Sequence, residues 1–477
     1  MPICRYTPLF LLWRGLAMTL ANQSTTRAML VLALPVLGEE SLNLLVGYTD
    51  FVLAGRFLRG TEPLAAMGLV NYFLWLLPSL FSLVSIGGLA LVARFVGAGQ
   101  HGSAAHATRQ ALRLGLLVTG VALLVVVLGG IPFVRGMGLS GEAARLATRY
   151  IWMLAPAIPA IMLEQVGSAC LRGAGDTVSG MLARAAVNLV NMSLSAALVT
   201  GFGPFPHLGW DGLAIGTTVG HWCGAAIIAW RLRSRLAKHP AAPATWLDRP
   251  LVGRILRVGL PGGFDVLAVI GCHLVYVAII NRVGDLAQAA HALGVQIEAM
   301  SYLPGSAFQV AAATLAGQAL GAADTRRATR GVLLCVGSAT TIMCLAGVVM
   351  FFGGENIAVL FTGQRDEVAV LTGELLRIVA WSCPALAVLT VTSGALRGSG
   401  DTTWPLAITF MGLVGIRIPG ALWLAWDEIT LPLVELALPG WGLGVTGAWW
   451  AMVADVSVRS VLVGGRFWQG GWQKVRV

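Results

Sequence analysis

Leu171-Arg172-Gly173-Ala174-Gly175-Asp176-Thr177 recurs as Leu396-Arg397-Gly398-Ser399-Gly400-Asp401-Thr402, 225 positions later. A polar heptapeptide that returns in so apolar a chain marks one unit duplicated. Other landmarks keep nearly the same offset. Pro35 answers Pro261 and Gly68 answers Gly294, both 226 apart, while Pro159 answers Pro384 at 225. Arg94 in A-R-F-V-G-A-G matches Gln318 in G-Q-A-L-G-A-A at 224. Near the ends of the halves, L-G-W-D-G at 208–212 answers L-G-V-T-G at 443–447, with about ten residues inserted ahead of the second. Two similar halves commonly build one site between them.

The chain is 57% hydrophobic and 11% charged, whereas a soluble domain runs near 25% charged. It is therefore expected in a membrane. A bilayer core of about 30 Å needs roughly 20 apolar residues per helix, and backbone groups at that depth must bond within their own helix. The apolar runs are long and do not alternate with period two, which argues against a β-barrel. The fold expected is all-α: twelve transmembrane helices in two pseudo-symmetric six-helix lobes. The first lobe spans 29–56, 64–97, 108–134, 143–171, 178–201 and 210–231. The second spans 252–281, 287–317, 328–353, 368–395, 403–426 and 442–464. The domain reading is an interfacial N-terminal segment 1–28, a first lobe 29–232, a linker 233–250, a second lobe 251–465 and a tail 466–477.

Net charge is +10, yet its placement argues for orientation and against nucleic acid. With the N-terminus inside, about 23 of the 32 Lys and Arg fall on the cytoplasmic side, as the positive-inside rule expects. Both termini are then cytoplasmic, and the expected location is the bacterial inner membrane. The densest basic cluster, from Arg231 to Arg257, surrounds the linker stretch His239-Pro-Ala-Ala-Pro-Ala-Thr. The seven cysteines show no CxxC pairing and read as small packing residues.

A charge at bilayer depth costs about 2.5–3.5 kcal/mol on insertion scales, so each one asks for a role. The first span carries Glu39, Glu40, Asn43 and Asp50. Their spacings put Glu39, Asn43 and Asp50 on one helical face, pointing to protein or water. Asp50 aligns with Tyr276 in the second half, so this carboxylate belongs to one half only. A carboxylic acid in a dry pocket can load and release a proton; the plainer reading is an acid bonded to a neighbouring helix. In the fifth span Asn188, Asn191 and Ser195 fall at i, i+3 and i+7, beside Ser193. Such a stripe serves either a small hard cation or helix packing, and alone it favours packing. Thr217 and Thr218 are weaker candidates, since threonine can bond its own backbone.

In the second half the candidates are Asp265, His273, Glu298, Glu374 and Arg417. Asp265 lies one turn after Pro261, near the predicted cytoplasmic end, where water reaches. Glu298 sits deeper, in the eighth span. Arg417 is alone in its span and is expected to pair with an acid or to snorkel. The repeated R-G-x-G-D-T sits at a span–loop junction and reads as fold punctuation, its glycines permitting a tight turn. Enzyme signatures such as GxSxG, a P-loop or HExxH are absent, and the seven histidines lack metal-ligand spacing. No cofactor or firm metal site is implied.

Taken together, these residues resemble the multidrug and toxic compound extrusion (MATE) transporters of the flippase-like exporter superfamily. The carriers are A-L-P35, D50-F-V-L-A-G55, A65-A-M-G68, A93-R-F-V-G-A-G99, N-L-V-N191, L-G-W-D-G-L-A at 208–214, A-G-Q318-A-L-G321-A and both copies of L-R-G-x-G-D-T. The resemblance covers about residues 29–465. It implies two lobes around a V-shaped cavity, and efflux of amphipathic, often cationic organic compounds in exchange for protons or sodium. Asp50 matches the first-span aspartate used for cation coupling in the DinF-like branch. Asn191 matches the fifth-span asparagine of that network, and Thr217 the sixth-span threonine. Ser195 departs from the second aspartate common there, which favours protons over sodium near Asp50. The coupling set implied is Asp50, Asn191, Ser195, Thr217 and Asn188, with Glu39, Glu40, Glu298 and Asp401 as auxiliary acids. Asp401 matches the aspartate near the tenth span of the NorM-like branch, but the seventh span offers only a displaced Asp265, so the DinF-like arrangement is favoured. The partners implied are the lipid bilayer and small organic substrates, with a monomer as the working unit. The rival reading is a flippase for lipid-linked oligosaccharides or peptidoglycan precursors, whose anionic substrates call for inward-facing Arg or Lys. A polytopic membrane enzyme is a more distant third.

Overall fold

The structure is a computed structural model that describes residues 24–239, 246–431, 436–475 and 477. Most of the N-terminal segment read as interfacial, and the Pro/Ala-rich centre of the linker, lie outside the described residues.

The first half begins with α1, Thr25–Phe57, whose Ser24 cap accepts from the Arg27 amide at 3.4 Å. Then come α2, Glu62–Leu80, and α3, Ser82–Gly97, followed by α4, His101–Gly136. Next are α5, Gly141–Leu154, and α6, Ile158–Gly173, joined through a 3-10 turn at Ala155–Ala157, then α7, Val178–Thr200, and α8, Trp210–Leu236. The second half repeats the series. Its helices are α9, Arg249–Asn281; α10, Asp285–Gly321; α11, Thr325–Thr362; α12, Glu367–Ala380; and α13, Cys383–Ser399. The eleventh rod is α14, Thr403–Gly412, a π turn at Leu413–Arg417, and α15, Ile418–Ala425; the twelfth is α16, Gly444–Trp468. Among the described residues, six helical rods per half result. Ten of the twelve, counting the bent α12–α13 pair once, are long and apolar enough to cross a membrane; α10 and α16 fall short of that. One side of α4 exposes Leu117, Val121, Leu124, Val125 and Leu128, which suits contact with lipid tails rather than water.

Several spans expected to be continuous are broken. The span at 64–97 divides at Phe81, three residues after Pro78. The fourth rod of each half breaks ahead of a twin proline: Pro159 lies in the first turn of α6 and Pro384 in the first turn of α13. A proline there forfeits no helical bond within its own segment, but it stops the preceding helix from running on. α12 and α13 meet at 57°. The insertion ahead of L-G-V-T-G holds the two described strands, β1 Glu428–Leu431 and β2 Leu436–Pro439, paired antiparallel with Ile429 opposite Leu438.

The twin heptapeptides end the fourth rods. The Asp176 amide donates to the Leu171 carbonyl at 2.8 Å, and the Asp401 amide to the Leu396 carbonyl at 2.9 Å. Gly175 (φ +86°) and Gly400 (φ +95°) take the left-handed conformation this helix end demands.

The chain divides into two compact units. The boundary falls inside α9, between Gly263 and Phe264, and Gly317–Asp324 with Val477 join the first unit. The first unit is cored by residues such as Phe81, Tyr150, Ile151, Leu154 and Ile158, and the second by Trp449, Leu375, Leu376 and Met343.

Candidate functional site

In the first unit α7 and α8 run side by side, and the glycines of α8 set how close they come. A β-carbon on Gly216 would sit 2.1 Å from the Ser195 hydroxyl and 2.8 Å from its backbone nitrogen. With glycine there, Asn191 and Ser195 of α7 meet Thr217 of α8 and face α1.

Asp50 lies at that meeting point, fully buried. One carboxylate oxygen accepts from Thr217 Oγ1 at 2.7 Å and from the Tyr150 hydroxyl of α5 at 3.0 Å. The other accepts from Asn191 Nδ2 at 3.2 Å. The same amide reaches Thr217 Oγ1 at 2.8 Å and Ser195 Oγ at 3.4 Å, and Tyr150 lies 2.9 Å from Thr217. Asp50, Tyr150, Asn191, Ser195 and Thr217 are all buried, so four rods converge on one carboxylate. Three neutral donors satisfy its charge without a contacting cation. A proton arriving there would cancel the charge and leave the donors to find new partners, because a neutral acid accepts fewer strong bonds than a carboxylate. Asn191 turns its NH2 to the carboxylate, as an acceptor-only partner requires, and its Oδ1 is buried without a hydrogen-bond donor.

The structure thus assembles Asp50, Asn191, Ser195 and Thr217 from the expected set. It adds Tyr150, which the sequence reading missed; a tyrosine in an apolar span, its ring against Trp210 at 5.8 Å, carries no spacing signal. Asn188 is not brought to the cluster. Its amide donates to the Leu42 carbonyl of α1 at 2.8 Å and to the Arg184 carbonyl at 3.0 Å, which is helix packing. Asn43 is exposed and bonds Glu40 at 3.4 Å. Although its spacing puts it near the face of Glu39 and Asp50, Asn43 is exposed where those two are buried. Thr218 donates to the Met153 carbonyl at 3.2 Å.

The remaining acids fall into a repeated pattern. Glu39 of α1 is paired with Arg172 of the first heptapeptide at 2.5 Å, and Asp265 of α9 with Arg397 of the second. Glu39 and Asp265 are themselves 226 apart, the offset of the twin prolines. Asp265 was expected to be wet and is instead wholly buried, because the repeated arginine lies over it. The heptapeptide aspartates behave alike. Asp176 takes Arg235 of α8 at 3.0 Å, and Asp401 takes Arg466 of α16 at 2.8 Å. Each heptapeptide therefore ties the fourth rod of its half to the first and sixth. Arg417 pairs with Asp455 at 2.9 Å, and Arg459 holds Asp455 with two bonds, at 2.7 and 2.6 Å. Glu298 is half-buried on α10 and Glu40 half-buried on α1, while Glu374 is exposed on α12. Among the described residues no group of three or more His, Cys, Asp or Glu is arranged to hold a metal ion.

The MatE family profile matches residues 35–197 and 261–423. The chain belongs to the MatE family. The two matched blocks open on the twin prolines Pro35 and Pro261, and each covers the first five rods of its half. Among relatives of this MatE chain is "Probable multidrug resistance protein NorM" of Thermotoga maritima, 28% identical over 458 residues, covering 94% of this chain and 93% of the relative. Another is multidrug resistance protein MdtK of Yersinia pseudotuberculosis, 24% identical, covering 92% and 94%. Two solved structures share the fold. A crystal structure of MATE in complex with MaL6 superposes with a TM-score of 0.84 at 21% identity, covering 96% of this chain and 99% of that one. An outward-facing multidrug resistance MATE family transporter of the MOP superfamily superposes at 0.79 with 22% identity, covering 96% and 98%. This MatE protein is accordingly an integral membrane helical protein of two pseudo-symmetric six-rod halves.

Proposed function

We propose that the protein is a secondary active multidrug exporter of the bacterial inner membrane. It exchanges amphipathic, cationic organic compounds for protons by alternating access, with both termini cytoplasmic and Asp50 as the coupling carboxylate. One observation carries the coupling: a fully buried aspartate whose two oxygens are held by Tyr150, Thr217 and Asn191 from three different rods. The names of the NorM and MdtK relatives support the transport class. The lone carboxylate and the inward-turned NH2 of Asn191 support protons over sodium, because a hard cation seeks several oxygens. The DinF-like resemblance describes this residue set, whereas the two relatives named above bear NorM and MdtK names.

Substrate and proton then compete through conformation. Neutralising Asp50 of α1 releases three donors on α5, α7 and α8 to rearrange these helices, and substrate affinity falls. Coupling requires that the two ligands prefer different states, since a ligand that binds both equally shifts nothing. The test is ethidium transport in proteoliposomes under an imposed proton or sodium gradient. A proton gradient drives efflux, and Asp50→Asn abolishes the driven component. Undiminished proton-driven efflux in Asp50→Asn would sink the coupling role, and dependence on sodium alone would replace the ion.

A further inference from the structure

The Asp50 cluster leaves a second buried ionisable group in the first unit unexplained. Glu164 of α6 is 5% exposed and His221 of α8 is 6% exposed. His221 Nδ1 lies 3.1 Å from Glu164 Oε2, and Arg184 of α7 approaches the same oxygen at 3.7 Å. Glu164 Oε1 is buried without a hydrogen-bond partner, and a β-carbon on Gly224 would stand 2.4 Å from it. The fold thus keeps a glycine to make room for an acid whose solvation is incomplete. An apolar replacement of similar volume is often as stable as a buried ion pair, and ionisable groups within spans commonly line proton paths.

Their position suits such a path. His221 follows Thr217 by one turn, about 6 Å, on the same side of α8. Arg184 lies one turn before Asn188, whose amide donates to the Leu42 carbonyl of α1, two residues from Glu40. Glu40 neighbours the Glu39–Arg172 pair, at the end of the rods where the heptapeptide lies. Asp50, His221, Glu164, Arg184 and Glu40 form a ladder down the first unit. On the neighbouring α4, Arg109 and Arg113 are engaged elsewhere, with the backbone carbonyls of Leu236, His239 and Trp246.

We propose that His221 and Glu164 relay the proton from Asp50 to the cytoplasmic end of the first unit; the relay rests on Asp50 as the proton-carrying carboxylate. The proton leaves the Asp50 carboxyl and bonds His221 Nε2, through a water spanning the turn from Thr217. The Nδ1 proton passes to the Glu164 carboxylate, and Glu164 yields it to cytoplasmic water. Asp50 is left as a carboxylate and His221 neutral in its other tautomer, which exchange restores. Arg184 balances the Glu164 charge between transfers.

The experiment follows proton release on ethidium binding, by stopped flow with a pH-indicator dye, using the purified full chain in detergent. Glu164→Gln and His221→Gln release as many protons at equilibrium as wild type but at least tenfold more slowly. Glu164→Asp restores the rate to within about threefold. Wild-type rates in both glutamine variants overturn the relay. Loss of ethidium binding in both also overturns it, assigning the pair a structural role. Asp50→Asn should release no protons; release of wild-type amplitude there refutes the coupling carboxylate instead.

Discussion

A carboxylate in a dry site is held in place by each donor aimed at it, so the donors at Asp50 are individually testable. Tyr150→Phe removes one hydroxyl and leaves the ring against Trp210. A single hydrogen bond contributes about 1 kcal/mol net, so proton-driven ethidium efflux should fall about fivefold with the protein still folded. A rate equal to wild type would show that Tyr150 is packing alone. Asp50, Asn191, Ser195 and Thr217 were legible in the sequence because polar residues in apolar spans stand out one at a time. Tyr150 and His221 escaped for the opposite reason, while Glu164 carries the same signal as Asp50 and gains its meaning only from its partner. Tyrosine and histidine are at home near the ends of many helices, and the pairing of Glu164 with His221 joins residues 57 positions apart. Asp265 was misjudged from its neighbourhood in sequence, whereas Arg397, 132 positions away, keeps it from water.

Between α7 and α8 the decisive residues have no side chain. Gly216→Val would drive a branched side chain into the Ser195 backbone and push the two helices apart. Coupled efflux should be lost, and thermal unfolding in detergent should come several degrees earlier. Gly120→Ala, on α4 with nothing within 4 Å of the added carbon, should be neutral or stabilising by up to about 1 kcal/mol. Equal effects at both positions would remove the close-approach argument. Rod number and order were legible from run length. The breaks at Phe81 and ahead of Pro159 and Pro384 were not, because a proline near a span centre is tolerated in some membrane helices and ends others.

Across the molecule the twin heptapeptides make a claim about both halves at once. Arg397→Ala leaves the buried Asp265 unpaired, at a cost of about 3–5 kcal/mol, and adding Asp265→Leu should recover most of it. Arg172→Ala and Glu39→Leu should behave likewise in the first half, read by the same thermal unfolding. Failure of both double variants to recover would mean that these arginines serve something beyond the clasp.

The sequence by itself determined what depends on local chemistry. Long apolar runs require membrane helices, the 225-residue offset requires two like halves, and L-R-G-x-G-D-T ends a helix in both of its copies. Only the tertiary structure decided which polar residues meet. Partners across helices depend on each helix's rotation and crossing, and here small residues such as Gly216 and Gly224 set both. The repeated heptapeptide therefore holds each half together in the same way. Asp50, which faces Tyr150 in one half and has Tyr276 as its counterpart in the other, is where the halves differ in chemistry.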